Sequence, residues 1–526
     1  MRDFQTPGRS AVFAQNGMCA TSHPLAAATA IDILKQGGNA VDAAIAGAGL
    51  LGLCEPQMTG LGGDCFALVK PAGSETVVAL NGSGRAPAGM DAAALRAAGH
   101  SVIPDGSAHA VTLPGAVDGF CALAERFGSL GLAQCLAPAI AYAEKGVPVA
   151  PRVAFDWAQA AERLQGAARD RYLIDGAVPT AGQVFRAEGQ AEVLRRIADK
   201  GREGFYGGEV AEDLCAALHT AGGPHDLDDF AKTQATWHDP IEGPYRDMSI
   251  VEHPPNGQGT AALLLSAILA EFDLGGMDPM DPEKLHIEAE AQKLAYDARN
   301  RFVADAAHMP VIDRLQRPGL AGELAGLIDR DRAMPSATQI SEAVHKDTIY
   351  ITVVDRDRMA VSLIYSIFHS FGSGLASSKF GILLHNRGAG FTLEEGLPNE
   401  AAPGKRPMHT IIPGMLRANG RIIAPFGVMG GQYQAAGHAR FVSNLVDYGM
   451  DVQSALDAPR AFAVDGELQL ERGYGAEIRF ALAEKGHKIA KPETAIGGAQ
   501  TIRIDHELGV LEGASDPRKD GCALGY

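Results

Sequence analysis

The stretch Asp347-Thr348-Ile349-Tyr350-Ile351-Thr352-Val353-Val354-Asp355 carries the main clue to this chain. Its β-branched and aromatic residues predict a strand that begins at Thr348. A threonine inside a chain is a poor nucleophile, because no base lies beside its hydroxyl group. Cleavage of the 347–348 bond would free the α-amine of Thr348, and that amine could activate the hydroxyl. The residues alone leave two interpretations open: a zymogen with Thr348 as its nucleophile, or an ordinary β-branched strand residue.

Segments on both sides of this stretch predict an α+β chain in which helices precede most of the strands. Asn39 is a typical N-cap for a helix over residues 40–53, and residues 285–305 have the apolar spacing of a long amphipathic helix. The other predicted helices cover residues 25–36, parts of 129–223, and 436–448, and the predicted strands cover residues 65–70, 75–81, 348–355, 360–367, 382–384, 410–415 and 421–428. Polar residues 330–342 predict a surface loop or linker just before Thr348.

Composition places the chain among globular proteins with a large core. Of its 526 residues, 46% are hydrophobic and 21% are charged, and the net charge is −17. Such an acidic balance disfavours nucleic acid and anionic membranes as partners. The first residues lack the apolar stretch of a signal peptide, and the apolar runs are too short to span a bilayer. We therefore expect a cytoplasmic protein without a membrane partner.

Cysteine and histidine spacing gives no reason to expect a cofactor. The seven cysteines are odd in number and form no CxxC pair, which argues for free thiols rather than a disulfide framework or a zinc site. The sequence contains no HExxH motif, and its glycine-rich loops lack the Lys-Ser/Thr tail of a phosphate-binding loop. We therefore expect neither a metal nor an organic cofactor.

Short motifs spread over nearly the whole chain resemble those of the γ-glutamyltransferase family, in the same order. They lie at residues 37–44, 61–66, 85–87, 254–259, 289–296, 348–355, 371–374, 381–384, 405–407, 430–431 and 513–518. Each motif alone is weak evidence, but their shared order is strong evidence. The members of this family are N-terminal-nucleophile hydrolases that cleave themselves into a large and a small chain.

This resemblance implies an αββα sandwich, the N-terminal-nucleophile hydrolase fold, with the nucleophile at the start of a central strand. It also implies that the precursor cuts itself between Asp347 and Thr348. The large chain would be residues 1–347 and the small chain residues 348–526, and together they would form one αββα unit. The expected partners are the two chains of one precursor and a small-molecule amide. The sequence leaves open whether processed units form homo-oligomers.

The resemblance also implies the catalytic residues. Thr348 is expected to be the nucleophile, and its freed amine the base. Ser366 stands where the family has a second threonine that hydrogen-bonds to the nucleophile, although a serine on a strand face is the alternative. Gly430 and Gly431 are expected to offer backbone N–H groups to the tetrahedral oxyanion, although a plain tight turn is the alternative.

The substrate site departs from the family pattern. Three family positions that hold the α-ammonium group of the substrate are occupied here by Phe368, Arg387 and Gly390. An ammonium group there would lose its acceptors and would meet a like charge if Arg387 points inward. His409-Thr410 replaces a Ser-Ser pair that touches the substrate carboxylate. We therefore expect an acyl group that lacks an α-amine and carries a carboxylate.

Arg85 matches the family arginine that pairs with the α-carboxylate, since a guanidinium group grips a carboxylate with two parallel hydrogen bonds. With Arg387, His409 and Thr410 it forms the expected substrate-binding set. Three alternatives stay open: a surface position for Arg85, a structural salt bridge for Arg387, and a packed, hydrogen-bonded role for His409.

Three functions follow from these residues. The pattern around Arg387 and residues 406–413 looks most like the family branch that includes oxamate amidohydrolase, so the first is a self-processed hydrolase of a small, carboxylate-bearing amide. The second is glutathione hydrolysis with γ-glutamyl transfer, the activity that the family name implies. The third is a family member that is never processed and has no catalytic activity.

Overall fold

The computed structural model describes Gln5 and residues 8–309, 315–335 and 348–526. Asp347, which supplies the carbonyl group of the bond predicted to be cut, lies outside the described residues, as do most residues of the predicted 330–342 loop. Within the described residues, no helix combines the length and the apolar character needed to cross a bilayer.

Two seven-stranded sheets form the centre of the molecule. One has the order β19-β2-β10-β11-β3-β4-β7, and the other has the order β1-β18-β17-β13-β12-β9-β8. The strands are β1 Val12–Ala14, β2 Met18–Thr21, β3 Asp64–Lys70, β4 Val78–Gly82, β5 Val147–Pro148, β6 Val184–Phe185, β7 Thr236–His238, β8 Ile241–Tyr245, β9 Met248–Glu252, β10 Ile349–Val354, β11 Ala360–Ser366, β12 Gly414–Ala418, β13 Arg421–Met429, β14 Ala461–Val464, β15 Glu467–Leu470, β16 Ile489–Ala490, β17 Gly498–Asp505, β18 Val510–Ser515 and β19 Cys522–Gly525.

The described residues form α-helices, some of which cover the outer faces of the two sheets. They are α1 Pro24–Lys35, α2 Ala40–Cys54, α3 Ala92–Ala97, α4 Ala116–Phe127, α5 Leu132–Lys145, α6 Pro151–Ala160, α7 Ala167–Tyr172, α8 Glu188–Lys200, α9 Glu203–Tyr206, α10 Gly208–Thr220, α11 Leu227–Lys232, α12 Gly259–Ala270, α13 Pro282–Phe302, α14 Leu320–Ala325, α15 Gln434–Val446, α16 Val452–Asp457 and α17 Ala476–Glu484. Helices α1, α2 and α4 pack on the sheet that contains β10, and α12 and α15 pack on the other sheet.

Apolar side chains from the inner faces of the two sheets meet between them. Met18 and Leu68 come from one sheet, and Met415 and Ile502 from the other, and all four are buried in one cluster. Helix, sheet, sheet and helix therefore form four layers, which confirms the predicted αββα sandwich.

The structure bears out the early helices and the strand at Thr348. Asn39 Oδ1 accepts hydrogen bonds from the backbone N–H groups of Val41 and Asp42, and the Asp42 carboxylate accepts one from Asn39, so a capping box starts α2. Strand β10 is third of seven in its sheet and pairs with β2 and β11. The strand that follows Thr348 is therefore central, as the resemblance implied.

One predicted strand is wrong, and another begins later than predicted. Residues 382–384 form only isolated bridges, in which Leu384 pairs with Gly62 and Leu383 with Ala376. Residues 410–412 precede β12, which begins only at Gly414. Their backbone groups form hydrogen bonds with side chains and not with a neighbouring strand. Gln258 Nε2 donates to Thr410 O at 2.6 Å, and Ile412 N donates to Gln434 Oε1 at 2.9 Å.

Candidate active site

Thr348 lies directly before β10 and is 1% exposed. The antiparallel pairing of β10 with β11 sets Ile349 opposite Tyr365, so Thr348 comes next to Ser366 at the end of β11. The distance from Thr348 Oγ1 to Ser366 Oγ is 3.4 Å. Strand register, rather than any local motif, brings these two predicted hydroxyl groups together.

Arg387 brings a positive charge to the same place. Its side chain is fully buried, with Nη2 donating to Ser366 Oγ at 3.3 Å and Nη1 donating to Thr410 Oγ1 at 3.0 Å. The guanidinium carbon lies 4.0 Å from the centroid of the Phe368 ring, a cation–π geometry. The guanidinium group is therefore separated from Thr348 by a single hydroxyl group.

A strained turn holds Phe368 beneath that guanidinium group. Its φ is +74°, a left-handed conformation that a bulky side chain rarely adopts. Ser366 Oγ accepts a hydrogen bond from Phe368 N at 2.9 Å, and Asn386 Oδ1 accepts one from His369 N at 3.1 Å. These bonds fix the turn and hence the position of the ring.

His409 is packed behind the site and hydrogen-bonded there. Its Nδ1 accepts from Ile411 N at 3.4 Å, so Nε2 carries the proton and donates to Asp64 Oδ2 at 3.2 Å. Burial and then the Arg387 charge lower the pKa of His409 to about 3, which keeps the ring neutral near pH 7. Of the two roles considered for His409, this geometry fits the packed histidine.

Asp64 is buried and accepts the hydrogen bond from the His409 ring. Its Oδ1 accepts from the backbone N–H groups of Gly84 and Gly115 at 3.0 and 3.2 Å. Burial raises the pKa of the Asp64 carboxyl, but His385, His409 and Arg387 outweigh it and bring that pKa down to about 2. Asp64 therefore stays ionised and adds a negative charge behind Arg387.

Gly430 and Gly431 form the turn that ends β13. Their φ angles are +120° and +55°, and a Cβ on Gly430 would lie 2.9 Å from the Cα atom of Gly497. A Cβ on Gly427, three residues earlier, would lie 2.3 Å from the Tyr350 ring of β10. Glycine is therefore required here both for the backbone conformation and for the close approach of the two strands.

Gln258 ties this turn to the substrate side of the site. Its Nε2 donates to Gly431 O at 3.1 Å and to Thr410 O at 2.6 Å, while Arg299 Nη1 donates to its Oε1 at 2.7 Å. Gln258 and Asp64 each lie in one of the quoted motifs, but those motifs predicted no role for either residue. Position within those motifs was the only signal available for either residue.

Arg85 lies apart from the other predicted residues. Its side chain is 47% exposed, and Nη1 is 3.2 Å from Asp305 Oδ2 and donates to Gly404 O at 3.0 Å. Among the described residues, these contacts hold two loops together and do not bring Arg85 to Arg387, Ser366 or Thr410. The structure therefore groups Thr348, Ser366, Arg387 and Thr410, and leaves Arg85 outside that group.

Comparison with known proteins adds three findings. A family model described as gamma-glutamyltranspeptidase matches residues 26–526. The chain is 34% identical to the glutathione hydrolase-like YwrD proenzyme of Bacillus subtilis strain 168 and 33% identical to the oxamate amidohydrolase proenzyme of Klebsiella pneumoniae, with 97% of this chain and 98% of each relative covered. A crystal structure of a cephalosporin acylase from Bacillus halodurans superposes with a TM-score of 0.93 and 38% identity, covering 100% of this chain and 99% of that one.

Proposed function

Because the chain belongs to the gamma-glutamyltranspeptidase family of self-processed N-terminal-nucleophile hydrolases, we propose that it cuts itself before Thr348 and then hydrolyses a small amide that carries a carboxylate. The match to that family confirms the resemblance drawn from the motifs. Self-cleavage would free the α-amine of Thr348, and Ser366 would stay beside its hydroxyl group.

The proposed reaction proceeds through an acyl-enzyme. Thr348 Oγ1 attacks the amide carbon, while the α-amine accepts the hydroxyl proton. The backbone N–H groups of Gly430 and Gly431 would stabilise the oxyanion. The ammonium group so formed on Thr348 then donates this proton to the substrate nitrogen, the C–N bond breaks, and ammonia departs. An ester on Thr348 remains. Water hydrolyses that ester, releasing the acid and restoring the hydroxyl group.

The position of Arg387 carries the choice of substrate class. Its guanidinium group is 3.3 Å from Ser366 Oγ, which in turn is 3.4 Å from the proposed nucleophile. In oxamate the carboxylate is bonded directly to the amide carbon, so both groups fit within this short span. In a γ-glutamyl group the carboxylate lies several bonds away, beside an ammonium that would be repelled by Arg387.

Phe368 supports the same choice by limiting the space. Its ring is 4% exposed and stacks on the guanidinium group of Arg387 at 4.0 Å. The ring therefore covers one face of the cation, while its edge donates to Ser366 and Thr410. A short, planar acid would share that edge with the two hydroxyl groups and make the two-point contact that guanidinium groups prefer.

A second candidate is glutathione hydrolysis, and the name of the Bacillus relative favours it. The two candidates place different substrate groups beside Arg387: a carboxylate in oxamate, and an ammonium group in a γ-glutamyl substrate. Purified wild-type protein would be assayed for ammonia release from oxamate and for turnover of a γ-glutamyl anilide. We expect the first activity to exceed the second by at least about 100-fold, as an uncompensated like charge costs a few kcal/mol. Preference for the anilide would contradict the proposed substrate.

Self-processing is tested by the intact mass of the purified protein. We expect two species divided before Thr348, and a single uncut and inactive species for Thr348→Ala. The matched variant Thr348→Ser keeps a hydroxyl nucleophile and should still be cut. A wild-type chain that stays whole on long incubation would support the third, non-catalytic alternative and refute the proposed mechanism.

A further inference from the structure

A second group of buried side chains lies away from Thr348, against helix α13. His286 and Glu290 are one turn apart on this helix and so face the same side. His487, which follows α17, lies opposite them. The distance from His286 Nδ1 to His487 Nε2 is 2.7 Å, and His487 Nε2 is 4.0 Å from Glu290 Oε1. One ligand atom from each of the three buried residues lies within 4.8 Å of the others.

The protonation of His286 is fixed by its second contact. Its Nε2 is 2.8 Å from the backbone carbonyl oxygen of Asp329, which can only accept a hydrogen bond. Nε2 therefore carries the proton, and the lone pair of Nδ1 points toward His487. Histidine ligands of metal ions are oriented by this kind of bond to a carbonyl oxygen.

We propose that His286, Glu290 and His487 bind a divalent cation of the zinc class. Two neutral imidazoles and one carboxylate are a ligand set that zinc accepts, with a fourth position left for water. The ion would replace the proton that His487 Nε2 shares with His286 Nδ1, and this proton leaves to solvent or to His487 Nδ1. His487 also lines a cavity of about 360 Å³, which gives the ion and its water a route in.

Lys293 competes with the ion for the carboxylate. Its Nζ lies 2.6 Å from Glu290 Oε1 and borders the same cavity. A bound cation would have to displace this ammonium group, since two positive charges at one oxygen repel each other. Glu290 Oε2 still accepts a hydrogen bond from Met334 N at 2.7 Å, so the carboxylate keeps its orientation without Lys293.

The ion would connect the two proposed chains. His286 and Glu290 belong to residues 1–347, and His487 belongs to residues 348–526. The site shares no residue with the Thr348 group, so its occupancy does not depend on the chemistry at Thr348. Because binding favours the folded state only, zinc should also raise the melting temperature.

The test uses chelator-treated full-length protein titrated with zinc by calorimetry and with cobalt by visible absorption. We expect a single site per chain and a cobalt spectrum typical of tetrahedral coordination. His487→Gln should weaken zinc binding by about 100-fold or more, since it removes a ligand. Lys293→Gln should tighten binding by about tenfold, because a repelling charge is lost. His238→Gln, at a half-buried histidine bonded to Thr236, is the control and should bind zinc as the wild type does.

Because His487 lines a cavity, its replacement by glutamine should be tolerated by the fold. Circular dichroism would check that His487→Gln is folded. Equal zinc uptake by the wild type and by folded His487→Gln would overturn the site, and so would weaker binding by Lys293→Gln. Thr348→Ala should bind zinc normally. Zinc binding by that variant separates a failure of the metal site from a failure of the proposed hydrolase mechanism.

Discussion

Ser366 lies between the two groups on which the proposed chemistry depends, the Thr348 hydroxyl and the Arg387 guanidinium. Ser366→Ala should lower kcat by about 10- to 100-fold, because both groups lose a buried partner worth about 1–3 kcal/mol. Ser366→Thr keeps the hydroxyl group and is the matched control. Steady-state kinetics of processed enzyme would compare the two, and equal loss in both variants would contradict a role for this oxygen.

Arg387 should determine whether the substrate needs a carboxylate. Arg387→Gln should lower kcat/KM for oxamate by about 100-fold, an effect of about 3 kcal/mol. Arg387→Lys should recover only part of it, because an ammonium group lacks the two-point geometry. Activity toward an uncharged amide should change much less, and an equal drop for both substrates would indicate a structural role.

Arg85→Gln provides the comparison with Arg387. The resemblance predicts that Arg85 binds the carboxylate, whereas its guanidinium group contacts Asp305 and Gly404. From these contacts we expect its loss to change kcat/KM less than about fivefold, since exposed ion pairs contribute little. The same kinetic assay decides between the two expectations.

At the residue scale, the motifs located the hydroxyl groups but not the contacts behind them. Thr348 and Ser366 could be paired because the resemblance implies a second hydroxyl group beside the nucleophile. Asp64 and His409 meet across 345 positions of sequence, and no local pattern reports such a contact. The packed state of His409 therefore had to come from the structure.

Among the elements, the β13 turn and the segment before β12 are joined by the Gln258 side chain. Gln258→Leu should lower kcat by about tenfold with little change in KM, because the oxyanion turn loses a fixed support. Gln292→Leu is a matched control, since that buried glutamine likewise spans backbone groups, at Ala463, but away from Thr348. A similar loss of kcat in both variants would point to general destabilisation.

Periodicity predicted the paired strands and failed where backbone groups bond to side chains. Residues 349–354 alternate toward the two packed layers and were found as a strand. Residues 410–412 carry a similar apolar run, but their backbone bonds to side chains and not to a neighbouring strand. Gln258 donates a hydrogen bond to the Thr410 carbonyl, and Gln434 accepts one from Ile412 N. A run of apolar residues cannot show which partner satisfies its backbone.

Over the whole molecule, Glu55 connects the two ends of the chain. It is buried and accepts a hydrogen bond from Ser22. The charge of Lys519 lowers the pKa of the Glu55 carboxyl group, and the charge of Asp520 raises it. Burial raises its pKa from 4.5 to about 7, so the folded state holds a proton that the unfolded state releases. Stability from this group is present at low pH and declines as pH rises from about 4.5 to 7.

The Glu55→Gln variant removes this titration. Between pH 5 and pH 8 the wild type should lose about 2 kcal/mol of unfolding free energy relative to the variant. Denaturant unfolding of both proteins at the two pH values, each in the uncut Thr348→Ala background, measures the difference. A constant gap between the two proteins would show that Glu55 keeps an ordinary pKa.

The overall architecture was predictable only through the resemblance. Local patterns indicated an α+β chain, and the order of motifs supplied the αββα layering. Neither indicated that β2 pairs with both β10 and β19, which are far from it in sequence. Strand order depends on long-range pairing, which a single sequence does not display.

Both central sheets mix strands from the two sides of Thr348. In one, β10 and β11 lie between β2 and β3, and in the other, β12 lies beside β9. While the backbone is continuous, folding is unimolecular and independent of dilution. Once the bond before Thr348 is cut, an unfolded molecule becomes two fragments that must find each other, and recovery becomes second order in concentration. Self-cleavage would thus make unfolding effectively irreversible at low protein concentration. The uncut chain folds in a unimolecular reaction, whereas the mature enzyme stays active only while it remains folded.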